Sequence, residues 1–103
     1  MNRLELHSKI VNIIDPQHPI HAYFQPPESV KLVYPAVVYY RARIAQQYAD
    51  NTVYKKNNVY ELTVIDKDPE SEIVEKLSSW PRCIFDRAYC VDNLYHNVFR
   101  LYT

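Results

Sequence analysis

The sequence predicts an α+β domain: a two-layer arrangement in which a mostly antiparallel sheet carries an N-terminal helix and a second helix, at about residues 69–80, on one face. Three observations predict it. Apolar residues recur at helical spacing near the N-terminus, three later segments alternate apolar and polar side chains, and a proline-led acidic helix start stands between the second and third of them. A length of 103 residues fits one domain, 1–103, with one modest core.

In RLELHSKIVNII (3–14), Leu6, Ile10, Ile13 and Ile14 form one stripe, which predicts an amphipathic helix. Asp15-Pro16 is expected to end it, because a residue before proline avoids the helical region. IHAYFQ (20–25) reads as a short strand, and Pro26-Pro27-Glu28-Ser29 as a rigid loop. PAVVYYRARIA (35–45) is the clearest strand. Its first face (Val38, Tyr40, Ala42, Ile44) is expected to be core, and its second (Val37, Tyr39, Arg41, Arg43) half-exposed.

Gln46 to Lys56 is polar, with turn chemistry at Asp50-Asn51, and reads as a hairpin extension or a mobile arm. NVYELTVID (58–66) alternates, with Tyr60, Leu62 and Val64 on one face, and should pair antiparallel with the preceding strand. Asp68 is the expected cap of the second helix and Pro69 its first residue, with Ile73, Val74, Leu77 and Trp80 inward and Pro81 as the stop. CIFDRAYCV (83–91) alternates but is interrupted at Arg87. Asp92-Asn93 is a turn pair that tolerates positive φ, and His96 to Tyr102 is the closing strand.

Composition narrows the function classes. The chain has no glycine, which excludes phosphate-cradling loops, dinucleotide fingerprints and nucleophile elbows. Twelve basic and twelve acidic residues cancel, so no charge excess favours duplex nucleic acid. Near-zero charge instead leaves little repulsion between copies. Ten tyrosines suit half-buried surfaces. Cys83 and Cys90, about 23 Å apart on one strand and on opposite faces by simple counting, are expected to be reduced. Met1 to His7 lacks the apolar core of a signal peptide, and no stretch reaches a membrane span.

Candidate chemistry is sparse. His18 and His21 have ligand-like spacing, but Pro19 separates them and no further ligand completes a metal set. Asp66, Asp68, Glu70 and Glu72 read as a helix start rather than a cation loop, and Cys83 as a small buried hydrophobe rather than a nucleophile. No catalytic residue, cofactor or metal is expected. The remaining cluster is basic and aromatic: Tyr39, Arg41 and Arg43, with Tyr48, Asp50, Tyr54, Lys55 and Lys56 on the hairpin. Such a set suits a protein interface. It equally suits stacking of single-stranded bases on a Tyr/Arg sheet face, the alternative reading.

YPAVVYYRARI (Tyr34 to Ile44) with YADN (Tyr48 to Asn51), NNVYELTVIDKDPESEI (Asn57 to Ile73) and FDRAYCVDNLYHNVF (Phe85 to Phe99) together resemble small proteins of long-tailed bacteriophages: tail terminator, tail completion or head–tail joining proteins. The resemblance implies a structural virion protein, not an enzyme. It implies six-fold rings, with the chain itself, the tail tube protein and a head-completion or connector protein as partners, and DNA only passing through. It places the protein in the virion, and in the host cytoplasm during assembly. The free subunit is then expected to be monomeric until it meets a tube end, with the Tyr39 face and the 46–56 arm making the subunit contact.

Overall fold

A computed structural model of the protein describes residues 2–49 and 52–102; of residues 43–49 and 52–57 the backbone alone is described. The element order is α1 (Arg3–Val11), β1 (His21–Phe24), β2 (Ala36–Ala49), β3 (Thr52–Asp66), α2 (Glu72–Ser78), β4 (Cys83–Val91) and β5 (Leu94–Tyr102). The strands form a five-stranded sheet in the order β1-β2-β3-β5-β4. β1 pairs parallel with β2, and every other neighbouring pair is antiparallel. This is the expected α+β architecture.

α1 starts at Asn2, whose side-chain oxygen accepts from the Glu5 N–H at 2.8 Å. It buries Leu6 and Ile10 and ends at Asn12, three residues before the Asp15-Pro16 stop expected from sequence. Ile13 and Ile14, beyond the helix, still pack against the core. α2 also starts later than the sequence suggests, at Glu72 rather than near Pro69. Asp66 and Asp68 instead close two successive turns, accepting from the Asp68 and Glu70 N–H groups at 3.1 and 2.9 Å. Ile73 and Leu77 point into the core, and Trp80 packs at its rim under Lys9, whose Nζ lies 4.5 Å from the ring centroid.

Both helices contribute to a single cluster with Val37, Tyr39, Tyr60, Leu62, Val64, Phe99 and Leu101, so they cover the same sheet face. The cross-strand row Tyr39–Leu62–Phe99 lies at its centre, and all three side chains are fully buried. β3 keeps Tyr60, Leu62 and Val64 on one face, as expected, and that face is core. β2 does not present the faces expected of it. Val37 and Tyr39 are core, while Tyr40 on the opposite face is 40% exposed. Arg41 and Arg43 make the Tyr39 side look wet in sequence. Arg41 does share the Tyr39 side but is exposed, and the register shift after it breaks the two-residue count only for Arg43.

A second shift corrects the cysteines. β4 bulges at Asp86, between the pairs Phe85↔Phe99 and Arg87↔Val98. The extra residue puts Cys83 (opposite Leu101) and Cys90 (opposite Tyr95) on the same face rather than on opposite ones. Both remain free. At the β4–β5 hairpin, Asp92 and Asn93 take φ of 53° and 61°, as a two-residue turn needs when no glycine is at hand.

β2 and β3 stay paired out to Ala49↔Thr52. β1 reaches only Tyr39 and β5 only Val59, so the outer hairpin has no third strand beside it among the described residues.

Candidate interaction surface

Alternation gives the sheet a second face, away from the helices. Two neighbouring rows define it: Tyr40–Glu61–Arg100–Ile84 and Val38–Thr63–Val98–Arg87. Glu61 is its centre and is only 8% exposed. A buried carboxylate needs partners, and two converge on it. The Tyr40 hydroxyl donates to Oε2 at 2.7 Å, and Arg87 Nη2 donates to Oε1 at 3.5 Å. Arg87 also donates through Nη1 to Asp86 Oδ2 at 2.5 Å, and Arg100 Nε lies 3.9 Å from the same oxygen. The hydrogen bond to Glu61, with burial added, pushes the Tyr40 phenol above its usual range. Two acids, two guanidinium groups and a phenol thus form a neutral, mutually satisfied cluster on the face away from the helices.

Exposed apolar side chains flank that cluster: Ile84 is 58% exposed and Val91 49%, and Tyr89 stacks on His96 with centroids 4.7 Å apart, while Phe85, 52% exposed, lies on the helix face opposite Phe99. Eight of the nine residues of β4 are exposed, and β4 is the outer strand of the sheet. The opposite edge differs. β1 has four residues, and the crossover that follows it returns over the open face, where the Tyr23 hydroxyl accepts from the Val33 N–H at 3.1 Å. A shallow hollow between the start of this crossover and β2 is lined by Gln25, Pro26, Val38, Tyr40 and Arg41.

The structure separates the residues that the sequence grouped as an interface. Tyr39 is wholly buried under α1, hydrogen-bonded to His7 Nδ1 at 2.6 Å and 5.1 Å from the Phe24 ring; it offers no surface for a partner or a base. Burial, and then the Arg3 charge, lower the His7 pKa, while burial raises that of Tyr39. Arg41 is exposed. The side chains of Arg43, Tyr48, Tyr54, Lys55 and Lys56, and all of Asp50, lie outside the described residues. In the backbone register Arg43 is opposite Val59, Lys56 opposite Gln46 and Lys55 opposite Gln47, so the lysines sit further out along the hairpin than the arginines. Glu61 pairs with Arg87, not with Arg41.

The residues that sequence reasoning passed over are on β4 and its neighbours: Ile84, Asp86, Arg87, Tyr89, Tyr40 and Arg100. The one available signal was the break in alternation at Arg87, which marks the bulge.

Chemical machinery is thin in what is described. His18 Nδ1 lies 2.8 Å from Asp15 Oδ2, and that hydrogen bond, ahead of two backbone N–H donors, holds the Asp15 carboxyl below its ordinary pKa. His21 stands apart in β1. Among the described residues no three His, Cys, Asp or Glu side chains group as a metal would require. Burial pushes the Cys83 thiol up to about 11, the opposite of an activated nucleophile. No helix among the described residues is long and apolar enough to cross a membrane.

Compared with family models, curated proteins and solved structures, the chain matches none.

Proposed function

We propose that this chain is a structural virion subunit of a long-tailed bacteriophage, a tail terminator or head–tail joining protein, that acts by subunit–subunit contact rather than by catalysis. What carries the reading is the bare flank of the sheet. β4 exposes Ile84, Tyr89 and Val91 beside a polar cluster whose members already satisfy one another, and Phe85 on its other side. Exposed apolar residues beside satisfied charges are the ingredients of a protein contact. An acid-base site needs an unsatisfied group aimed at a substrate.

In this reading copies of the chain close into a ring, six-fold by the family resemblance, through a head-to-tail contact. The outer β2–β3 hairpin reaches the neighbouring subunit, with Arg41 and Arg43 at its base. The tail tube protein and a head-completion or connector protein are the other partners, and DNA passes through the ring without being read. The protein acts in the virion and is assembled in the host cytoplasm.

The test is the pair Arg41→Glu with Arg43→Glu. Incubated with purified tail tubes and imaged by negative stain, the parent should cap tube ends with rings, and the double variant should fold normally and leave them bare. Equal capping by both proteins would refute the contact. A salt-dependent shift with a single-stranded oligonucleotide, lost in the same variant, would favour a nucleic-acid module instead.

A further inference from the structure

The outer edge of β4 carries N–H and C=O groups with no strand partner among the described residues, along nine residues of which eight are exposed. Such an edge is a template for another strand. Natural edges are usually guarded by charges or bulges, and this one has both at Asp86-Arg87. Here the guards also make the strand complementary to itself.

We propose that β4 pairs antiparallel with β4 of a second copy, about a two-fold axis that passes between Asp86 and Arg87. In this register Asp86 lies opposite the partner's Arg87, and Arg87 opposite the partner's Asp86. Ile84 meets the partner's Tyr89 on the open face. Phe85 meets the partner's Ala88, and Cys83 the partner's Cys90, on the helix face. Two five-stranded sheets then join into one of ten strands.

The bulge is what permits this. Opposed residues in an antiparallel pair must point to the same side. Ile84 and Tyr89 are an odd number of residues apart and in an unbulged strand would point to opposite sides. The extra residue at Asp86 returns them to one face, and it does the same for Phe85 with Ala88 and for Cys83 with Cys90. Every pair in the register then matches by face, with the helices of both copies on the same side.

Charge fits as well. Asp86 and Glu61 balance Arg87 and Arg100 within each chain, so identical surfaces meet without net repulsion. The contact between Arg87 and Asp86 of one chain can be exchanged for the equivalent contact across the axis. A second copy is the occupant because a strand of unrelated sequence would need its own acid, base and bulge in the same order.

This contact is isologous and goes beyond the ring reading, whose contact is head-to-tail through the hairpin. It also replaces the monomer expected for the free subunit with a two-fold dimer.

The test is the mass in solution. Sedimentation equilibrium should give the parent twice the 12.3 kDa of one chain. Arg87→Asp, which sets acid against acid across the axis, should give a monomer. The exchange Asp86→Arg with Arg87→Asp should restore the dimer, because each charge again faces its opposite. Ile84→Cys with Tyr89→Cys, in a background with Cys83→Ser and Cys90→Ser, should oxidise to a covalent dimer; within one chain these positions are roughly 16 Å apart and cannot bridge. A monomeric parent, a dimer indifferent to Arg87→Asp, or a cysteine variant that stays single-chain on oxidation would each overturn the proposal. All three leave the tube-capping test untouched.

Discussion

One residue separates two different environments on β2. Tyr39 faces the helices, is fully buried, and lies in a row with Leu62 and Phe99. Tyr40 faces away, keeps 40% of its surface in solvent, and lies in a row with Glu61 and Arg100. The first row is held by apolar burial beneath α1 and α2. The second is held by hydrogen bonds and ion pairs that satisfy Glu61 on the face away from the helices. Substitutions in these two rows should therefore sort by face.

The largest effect belongs to the covered face. Tyr39→Ala should destabilise the fold by about 3–4 kcal/mol in urea unfolding, as for other large buried rings. A change below about 0.5 kcal/mol would place Tyr39 on the surface, as the sequence alone suggested. Trp80→Ala should cost less, about 2 kcal/mol, because the indole packs only at the rim of the cluster. On the open face, Glu61→Leu removes the acceptor of Tyr40 and Arg87 but leaves both near solvent. A loss of about 1 kcal/mol is expected, and more than 3 would mean that this face is sealed like the other. Ile84→Ser should lie within about 0.5 kcal/mol of the parent, since a half-exposed edge residue has little burial to lose.

The same comparison has a pH signature. His7 lies against Tyr39, and its pKa in the fold is depressed by burial and by Arg3. The unfolded chain then binds a proton first as pH falls. The stability tied to neutral His7 is fully present above the unfolded value of about 6.5 and is lost between that value and the lower native one. Melting curves between neutral and mildly acid pH should show this slope in the parent and a shallower one in His7→Asn. Equal slopes would mean that His7 is solvated in the fold.

Much of this fold was legible in the sequence. The stripe of Leu6 and Ile10, the alternation of Tyr60, Leu62 and Val64, the Asp92-Asn93 turn and the order of the elements are local signals, and the structure carries each of them. The misread features are those where local counting breaks. Tyr39 lies under α1 while Arg41, on the same side two residues on, is exposed, and the register shift after Arg41 removes only Arg43 from the count, so parity with the arginines does not tell burial. A two-residue count puts Cys83 and Cys90 on opposite faces because the bulge between them is invisible to it. Asp68-Pro69 has the chemistry of a helix cap, yet two aspartate turns occupy that segment and the helix begins at Glu72. The surface was less legible than the core. That β4 is exposed follows from its place at the end of the strand order, and β5, next to it in sequence and similar in composition, lies inside the sheet. No property of CIFDRAYCV by itself distinguishes an edge from an interior strand.

The account rests on the bare flank being a place where protein meets protein. Amide hydrogen exchange measured across a dilution series tests this most directly. Exchange in β4 should slow as concentration rises, while the amides of β3 and of α1 stay unchanged. Equal exchange in β4 at every concentration, from the most dilute to the most concentrated sample, would contradict it.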